Sequence, residues 1–178
     1  VFDFAALIRM TSASFESLAA NQNINFSYDY QGKTPLYILS DDYKVKTIIK
    51  NLVSNALKYT NDNGEVVIKA IETETKIIIT VQDNGQGIRD YDLPYVFDRF
   101  YQSRNQDEVV KGGTGIGLAI CKEYAQLLGG TIELTSKWAK GSSFKVVLPK
   151  LLREPTTQIS PLNNNISIKK SKSINIEY

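Results

Sequence analysis

The stretch KNLVSNALKYT, residues 50–60, decides how the rest of this chain is interpreted. In a helix, the 3.6-residue period puts Asn51, Asn55 and Lys58 on one stripe and most apolar residues on the other side. Asparagine is a poor helix former because its side chain competes for backbone hydrogen bonds. Two asparagines on one stripe therefore indicate either a solvated face or a polar face that serves a ligand, and the rest of the chain must distinguish these alternatives.

The composition predicts one globular domain with a neutral body and a basic C-terminal segment. The chain has 178 residues, of which 42% are hydrophobic and 22% charged, so it can bury a sizeable core. Its formal net charge is +2. Residues 151–178 hold four basic and two acidic side chains, which accounts for all of that charge. A neutral body argues against a nucleic-acid partner, because such binding depends on basic surface charge.

Residue counts limit the chemistry further. The single cysteine excludes an internal disulfide framework, and no apolar run is long enough for a membrane span or a signal peptide. We therefore expect a cytoplasmic domain, whether or not a parent protein is anchored in a membrane elsewhere. The chain has no histidine, so carboxylates, amides, lysines and backbone N–H groups must supply its chemistry.

Hydrophobic periodicity predicts alternating helices and strands. We expect helices over residues 4–22, from a cap at Ser40 or Asp41 through the opening stretch, and over residues 115–128. The expected strands are 24–30, 35–40, 65–72, 76–83, 131–137 and 143–149. This set predicts an α/β (α+β) two-layer sandwich, in which helices cover one face of a mixed, mostly antiparallel sheet.

Two glycine-bearing segments are candidates for ligand contact. DNGQGI, residues 83–88, puts Asp83 at the end of a strand, and its two glycines permit positive φ and close backbone approach. KGGTGIGLAICKEYAQLLGG, residues 111–130, opens a helix with exposed N–H groups that favour phosphate. The second segment matches neither the P-loop nor the dinucleotide fingerprint. Each segment alone is weak evidence, since Asp-Asn-Gly is also an ordinary turn.

The order and spacing of the segments are more specific than any one of them. An asparagine-bearing helix, an Asp-x-Gly-x-Gly turn, YVFDRFY (95–101), a glycine-rich loop and KGSSF (140–144) follow one another. From about Val1 to Pro149, the chain resembles the catalytic ATP-binding domain of sensor histidine kinases, within the wider family of gyrase-, heat-shock-chaperone- and MutL-type ATPases. The resemblance assigns the family's asparagine, first glycine, phenylalanine, second glycine and last boxes to residues 51–60, 83–88, 97–100, 113–118 and 141–144.

The resemblance implies a site for ATP and Mg²⁺. Asn55 would supply an oxygen to the metal, which takes few protein ligands beside substrate phosphates. Asn51 and Lys58 would lie among the phosphates and complete the catalytic set, and Tyr59 would cover the nucleotide or hydrogen-bond it. Asp83 would accept from the adenine amine and select ATP over GTP. The other implied nucleotide-binding residues are Gly85, Gly87, Ile88, Gly113, Thr114, Gly115, Ile116, Gly117, Leu118 and Ser143.

Several of these residues have an ordinary structural explanation as well. Ile88 and Leu118 are candidate pocket walls, and core packing explains them equally well. Residues 89–112 would form a mobile lid over the phosphates. The two phenylalanines of the phenylalanine box would dock that lid or a partner helix, or would pack within the lid. Cys121 is most simply a small core residue.

Position 51 separates two functional branches of the family. Its ATP hydrolases carry a glutamate four residues before the metal-binding asparagine, where it can activate water. An amide such as Asn51 cannot take a proton from water at neutral pH. The resemblance therefore favours a histidine kinase, which donates the γ-phosphate of ATP to a histidine in two-component signal transduction. The alternatives are a non-catalytic nucleotide-sensing module and a gyrase-like ATP hydrolase, the latter disfavoured by Asn51.

The resemblance also implies partners that this chain does not contain. A complete histidine kinase has dimerisation helices with a phosphoacceptor histidine, and a response regulator or receiver domain receives the phosphate. We interpret residues 1–150 as the catalytic domain of such a kinase, unable to phosphorylate itself. Residues 151–178 are rich in Asn, Ser and Lys, so we expect a flexible linker or tail, with a peripheral hairpin as the alternative.

Overall fold

The computed structural model describes residues 1–102 and 113–152, and its elements follow the predicted alternation. The helices are α1 (Phe4–Ala13), α2 (Glu16–Asn21), α3 (Asp42–Tyr59) and α4 (Gly117–Leu127), and Leu93–Tyr95 forms a 3₁₀ turn. The strands are β1 (Phe2–Asp3), β2 (Asn25–Gln31), β3 (Tyr37–Ile38), β4 (Glu65–Glu72), β5 (Lys76–Asp83), β6 (Thr131–Lys137) and β7 (Gly141–Pro149). In the described part of the chain, no helix has both the length and the apolar character that crossing a membrane requires.

Five of the strands form one mixed sheet in the order β2-β4-β5-β7-β6. The pair β2 and β4 is parallel, and the three other pairs are antiparallel. Strands β1 and β3 form a separate two-stranded antiparallel pair. The prediction of a mixed, mostly antiparallel sheet is therefore confirmed.

The sheet buries one face against the helices because its central strands alternate in burial. Strands β4, β5 and β7 each turn three apolar residues inwards, and α3 adds its apolar side to the same core. Ile48, Leu52 and Ile79 are almost fully buried there. Each such side chain contributes about 1.5–3 kcal/mol by leaving water. The predicted two-layer architecture is confirmed, with the helices on the apolar face of the sheet.

Both ends of α3 are held by side-chain hydrogen bonds. Asp41 caps its first turn, where its carboxylate accepts from the backbone N–H of Lys44 at 3.0 Å. At the other end, Thr60 donates through its hydroxyl to the carbonyl of Ala56 at 2.7 Å. Both ends of this 18-residue helix are thus defined. Its polar stripe therefore faces a set direction.

The single helix predicted over residues 4–22 is wrong, because the structure has two helices there. α1 ends at Ala13 and α2 begins at Glu16. Ser14 donates through its hydroxyl to the carbonyl of Thr11 at 2.6 Å, and such local bonds compete with helix continuation. The break also lets Phe15 enter the core, where it is 8% exposed.

The last described residues are tied to the body of the domain. The side chains of Lys150 and Glu72 form an ion pair at 3.0 Å and are 7% and 8% exposed. Leu39 donates its N–H to the carbonyl of Leu151 at 2.7 Å, and Leu152 forms a bridge with Ile38. A domain boundary after residue 150 stays a prediction. The linker or hairpin predicted beyond it falls mostly on residues 153–178, which lie outside the described residues.

Replacing Lys150 with methionine should destabilise the domain by about 3–5 kcal/mol, because Glu72 would remain buried without its cation. Burial alone would raise the pKa of Glu72, but the Lys33 N–H and the Lys150 ammonium hold it below its ordinary value. Urea denaturation measures the loss. The double variant Lys150→Met with Glu72→Gln should recover part of the lost stability. Equal stability of the parent and Lys150→Met would contradict a stabilising role for this ion pair.

Candidate nucleotide-binding site

A cavity of about 390 Å³ opens between α3, the turn after β5 and the start of α4. Its volume lies in the range of pockets that hold small molecules and cofactors. Most of the residues that the sequence assigned to a site line this cavity. They are Asn51, Asn55, Lys58, Tyr59, Asp83, Gly87, Ile88, Gly113, Thr114, Gly115, Gly117 and Leu118.

Three assigned residues do not line the cavity. Gly85 lies behind it, where a side chain would come within 2.3 Å of the Tyr59 carbonyl oxygen, so this glycine permits the turn to pack on α3. Ile116 is the residue before α4. Ser143 pairs with the exposed Gln82 in the sheet. Its neighbour Ser142 lines the cavity in its place, because successive strand residues face opposite sides.

Asp83 is a buried carboxylate with one of its two oxygens hydrogen-bonded to the backbone. It is 7% exposed, and its Oδ1 accepts from the N–H groups of Gly85 at 2.9 Å and Ser142 at 3.3 Å. Among residues 1–102 and 113–152, Oδ2 has no hydrogen-bond partner. Burial raises the pKa of Asp83 above its ordinary value, although the two N–H groups oppose that increase. The side chain can therefore offer Oδ2 to a donor on a ligand.

Replacing Asp83 with asparagine should stabilise the ligand-free domain at neutral pH, because it removes a buried negative charge. Because the pKa of Asp83 is raised in the folded state, its carboxyl group is neutral in both the folded and the unfolded chain below the unfolded pKa, and it costs no stability there. The cost of the buried charge appears as the pH rises through the folded pKa. The gain of Asp83→Asn should thus be present at pH 7 and shrink as the pH falls towards 4. Thermal unfolding at a series of pH values measures it, and a gain that grows in acid would contradict the argument.

The polar stripe of α3 lines the same cavity as Asp83. Asn51, Asn55 and Lys58 all face it, so the stripe is not simply a solvated surface. Two glycines let the loop before α4 approach these side chains. A side chain on Gly113 would lie 2.9 Å from the Lys58 ammonium, and one on Gly117 would lie 3.3 Å from Asn51 Oδ1. Glycine at these places leaves room for a ligand beside the amide and the ammonium.

The start of α4 presents backbone donors to the same cavity. Gly115 has φ = +67°, a conformation that glycine adopts without strain, and its carbonyl accepts from the Phe100 N–H at 2.9 Å. No side chain caps the first turn of α4, so its N–H groups are available to an anion. Amide oxygens, an ammonium and these N–H groups fit a phosphate chain with Mg²⁺, and the Asp83 carboxylate fits an amino group.

The comparisons with known proteins agree with this geometry. Residues 40–152 match the family model described as histidine kinase-, DNA gyrase B- and HSP90-like ATPase. The chain belongs to this family. The sensor protein SrrB of Staphylococcus aureus is 34% identical to it over 146 residues, which cover 82% of the chain and 25% of SrrB. The chain therefore spans about a quarter of the length of this relative.

Solved structures place the chain with one branch of that family. The catalytic domain of the histidine kinase ThkA is 28% identical, with a TM-score of 0.72 over 84% of this chain and 96% of that domain. ThkA in complex with the response regulator protein TrrA is 26% identical, with a TM-score of 0.68 over 84% of this chain and 41% of that chain. This is therefore an ATP-binding domain of the histidine-kinase type, as the sequence predicted.

The family boxes do not include every residue that lines the cavity. The guanidinium carbon of Arg89 lies 3.9 Å from the centre of the Trp138 ring, and both residues face the cavity. Arg89 Nε is buried without a hydrogen-bond partner. Asp92, 4% exposed, accepts from the Tyr101 hydroxyl, and this bond and burial raise the pKa of Tyr101 to about 12. Residue spacing in the sequence does not identify this group, because Trp138 lies in the turn between β6 and β7, far along the chain from Arg89.

The segment predicted as a lid is described only in part. Phe97 packs edge-on against Phe144 at 6.4 Å between ring centres and contacts the core. Phe100 is 71% exposed and has φ = +65°. Packing within the domain thus accounts for Phe97, and a docking role for either phenylalanine stays a prediction. Residues 103–112 of the predicted lid lie outside the described residues.

Trp138 should report nucleotide binding through its intrinsic fluorescence. It is the only tryptophan of the chain, and it lines the cavity beneath Arg89. Titration with ATP and Mg²⁺ should change its emission in a saturable manner, with the affinity that calorimetry gives. Trp138→Phe keeps an aromatic platform for the guanidinium, so it should lose the signal and change the affinity less than about threefold. Unchanged emission at calorimetric saturation would contradict this placement.

Proposed function

We propose that this domain binds ATP with Mg²⁺ and donates the γ-phosphate to a histidine on dimerisation helices that this chain does not contain. The observation that carries the proposal is that one cavity brings together two amides, an ammonium and the Asp83 carboxylate. Membership of the family and the likeness to the ThkA catalytic domain support it. The domain would act in the cytoplasm, where ATP is abundant.

Each polar side chain of the cavity has a task in this proposal. Asn55 holds the metal through its side-chain oxygen, and Lys58 neutralises phosphate charge. Asp83 accepts from the adenine amine, and Tyr59 covers the nucleotide. Mg²⁺, when bound, supplies charge neutralisation for phosphoryl transfer. Protein catalysis of this reaction consists mainly of positioning and electrostatics, which these groups provide.

Asn51 favours transfer over hydrolysis. A hydrolase needs a group that takes a proton from water or orients it for attack. The amide of Asn51 cannot accept that proton, and the chain has no histidine to replace it. The phosphate is then reserved for an acceptor that brings its own nucleophile. Residues 89–112 would close over the phosphates during this step and keep water out.

The proposed partners follow from the reaction. Phosphoacceptor helices must reach the γ-phosphate, and a response regulator or receiver domain must then take the phosphate from the histidine. The complex of ThkA with the response regulator protein TrrA supports a regulator of the same kind here. A non-catalytic nucleotide-sensing module remains the second candidate, and an experiment must separate the two.

The deciding experiment uses ATP labelled in the γ-phosphate. The 178-residue chain alone should remain unlabelled and release phosphate very slowly. The chain linked covalently to dimerisation helices of a histidine kinase should label their histidine, because linkage supplies the effective concentration that docking requires. Asn55→Ala in the same linked protein is the control and should abolish the label.

Three results would contradict the proposal in different ways. Rapid phosphate release by the chain alone, with no label on the linked histidine, would favour the ATP hydrolase. Tight nucleotide binding with neither release nor label would favour the sensing module. No binding of ATP at all would remove the nucleotide site itself.

A further inference from the structure

Arg89 lines the nucleotide cavity directly after the first glycine box, and the family boxes do not include it. Its side chain is half-buried, and its Nε is buried without a hydrogen-bond partner. The ion pairs formed within residues 1–102 and 113–152 do not include Arg89, although the carboxylate of Asp83 lines the same cavity. A guanidinium that is partly removed from water without an anion costs free energy, so a ligand is the partner to consider.

The contact that the structure gives this guanidinium is with an aromatic ring. Its central carbon lies over the ring of Trp138, 3.9 Å from the ring centre. Groups at this separation are in van der Waals contact, and arginine stacks on aromatic faces in this way. The ring therefore covers one face of the planar guanidinium. The opposite face remains for a ligand in the cavity that both residues line.

The backbone holds this stacked pair in place, because the turn after β5 is joined to the turn between β6 and β7. The N–H of Ile88 donates to Ser136 Oγ at 2.9 Å, and the N–H of Ala139 donates to the carbonyl of Gln86 at 2.6 Å. These bonds lie within a few residues of each member of the stacked pair. The guanidinium and its ring are thus carried by two turns that are bonded to each other.

The same two segments also hold the carboxylate that the proposed function assigns to adenine. Asp83 Oδ1 accepts from the N–H groups of Gly85 in the turn and Ser142 in β7. Lys58 and Asn51, which the proposed function assigns to the phosphates, come from α3 and lie beside the glycines at the start of α4. The stacked pair therefore belongs with the part of the site that serves the base. A purine presents a flat π-face, and a guanidinium stacks on such a face.

We propose that Arg89 is a nucleotide-binding residue of this chain, and that its free face covers the adenine ring. The base then completes a stack of three layers, in which Trp138 is a positioning residue that supports the guanidinium. Stacking of this kind tolerates any purine, so the choice of adenine is left to Asp83. This inference rests on the proposed function, since it adds a contact for the base in the same site.

Calorimetric titration with ADP in EDTA measures the contact without a metal ion. Arg89→Lys keeps the charge but loses the planar face, so it should weaken ADP binding about three- to tenfold. ATP with Mg²⁺ should lose affinity by the same factor, because the two ligands share the base. Arg89→Ala should lose at least as much as the lysine variant. Arg9→Ala is the matched control, since Arg9 is exposed on α1, and it should leave both affinities unchanged.

A double variant tests the role of Trp138 separately. Trp138→Ala removes the ring beneath the guanidinium and should weaken ADP binding to a similar extent. Combining it with Arg89→Lys should add little further loss, because either change alone already breaks the stack. Losses that add in the double variant would mean that Trp138 does not act through Arg89.

The side-chain ¹⁵N spectrum distinguishes a contact with the base from a contact with phosphate. The Arg89 Nε–H signal is assigned as the one that disappears in Arg89→Lys. In the ligand-free chain it should lie upfield of the signal of the exposed Arg9, because the ring current of Trp138 shields it. ADP should move it further upfield, whereas tripolyphosphate with Mg²⁺, which has no base, should leave it in place.

Different results would overturn this inference and the proposed function. If the parent chain binds ATP and Arg89→Lys binds it equally well, the inference fails and the proposed function stands. A larger loss for ATP than for ADP, or a downfield shift with tripolyphosphate, would make Arg89 a phosphate ligand and would also overturn the inference. If the parent bound no nucleotide, the proposed function would fail together with the inference.

Discussion

Asp83→Ala should weaken ATP binding about 10- to 100-fold, because a hydrogen bond to a charged group contributes about 1.5–3 kcal/mol. The carboxylate sits at the end of β5, almost completely buried, with Oδ1 held by two backbone N–H groups. Its other oxygen is placed to accept from the adenine amine. Alanine leaves that amine facing a buried position without a partner, which adds a desolvation cost. Calorimetric titration with ATP and ADP measures the loss.

The base specificity of the same variant provides the control. Guanine presents a carbonyl where adenine has its amine, so the parent carboxylate should repel GTP. Removing the carboxylate should therefore weaken the binding of ATP and leave the binding of GTP unchanged or slightly tighter. The preference for ATP over GTP should narrow as a result. Asp83→Asn should not restore ATP binding, because the backbone N–H groups of Gly85 and Ser142 hold its amide oxygen at the Oδ1 position and its NH₂ group then faces the adenine amine. Equal ATP affinity in the parent and Asp83→Ala would mean that adenine is recognised elsewhere.

Asn55→Ala should remove most of the benefit that Mg²⁺ brings to ATP binding and phosphotransfer. Its oxygen is the proposed protein ligand of the metal, and a metal ion stabilises transferring phosphate by several kcal/mol. Loss of the ligand should slow transfer to a linked histidine by on the order of 100-fold or more, at 1.36 kcal/mol per tenfold. Binding in EDTA should change little. The measurement is a Mg²⁺ titration at fixed ATP, with labelled transfer assayed in parallel.

Asn61→Ala makes the same chemical change outside the cavity. Asn61 is exposed in the turn after α3, so its replacement should leave both the Mg²⁺ titration and the transfer rate unaltered. A Mg²⁺ dependence in Asn55→Ala equal to that of the parent would take Asn55 out of the metal site. Asn51, which lines the same cavity, would then be the remaining amide candidate for the metal.

The sequence predicted the architecture well, because local rules govern most of it. Periodicity alone defined β4, β5 and β6 at the bounds that the structure has, since each alternates between a buried and an exposed face. A helix cap was expected at Ser40 or Asp41, and the structure has it at Asp41. The polar stripe of α3 followed from the helical period. The order of the boxes predicted the family, which the comparisons confirmed. The strands, the cap and the polar stripe depend on neighbours a few residues apart, and the order of the boxes follows the chain itself, so the sequence displays all of them directly.

Tertiary structure decided the contacts that join distant segments. Whether Ser142 or Ser143 faces the cavity depends on the register of β7 beside β5, and a shift of one residue exchanges the two faces. Arg89 meets Trp138 only because the turn between β6 and β7 folds back on the turn after β5. The thiol of Cys121 reaches the carbonyl oxygen of Ile48 because α4 packs against α3. Such contacts span tens of residues, and packing of the whole core selects them, so no local pattern in the chain encodes them.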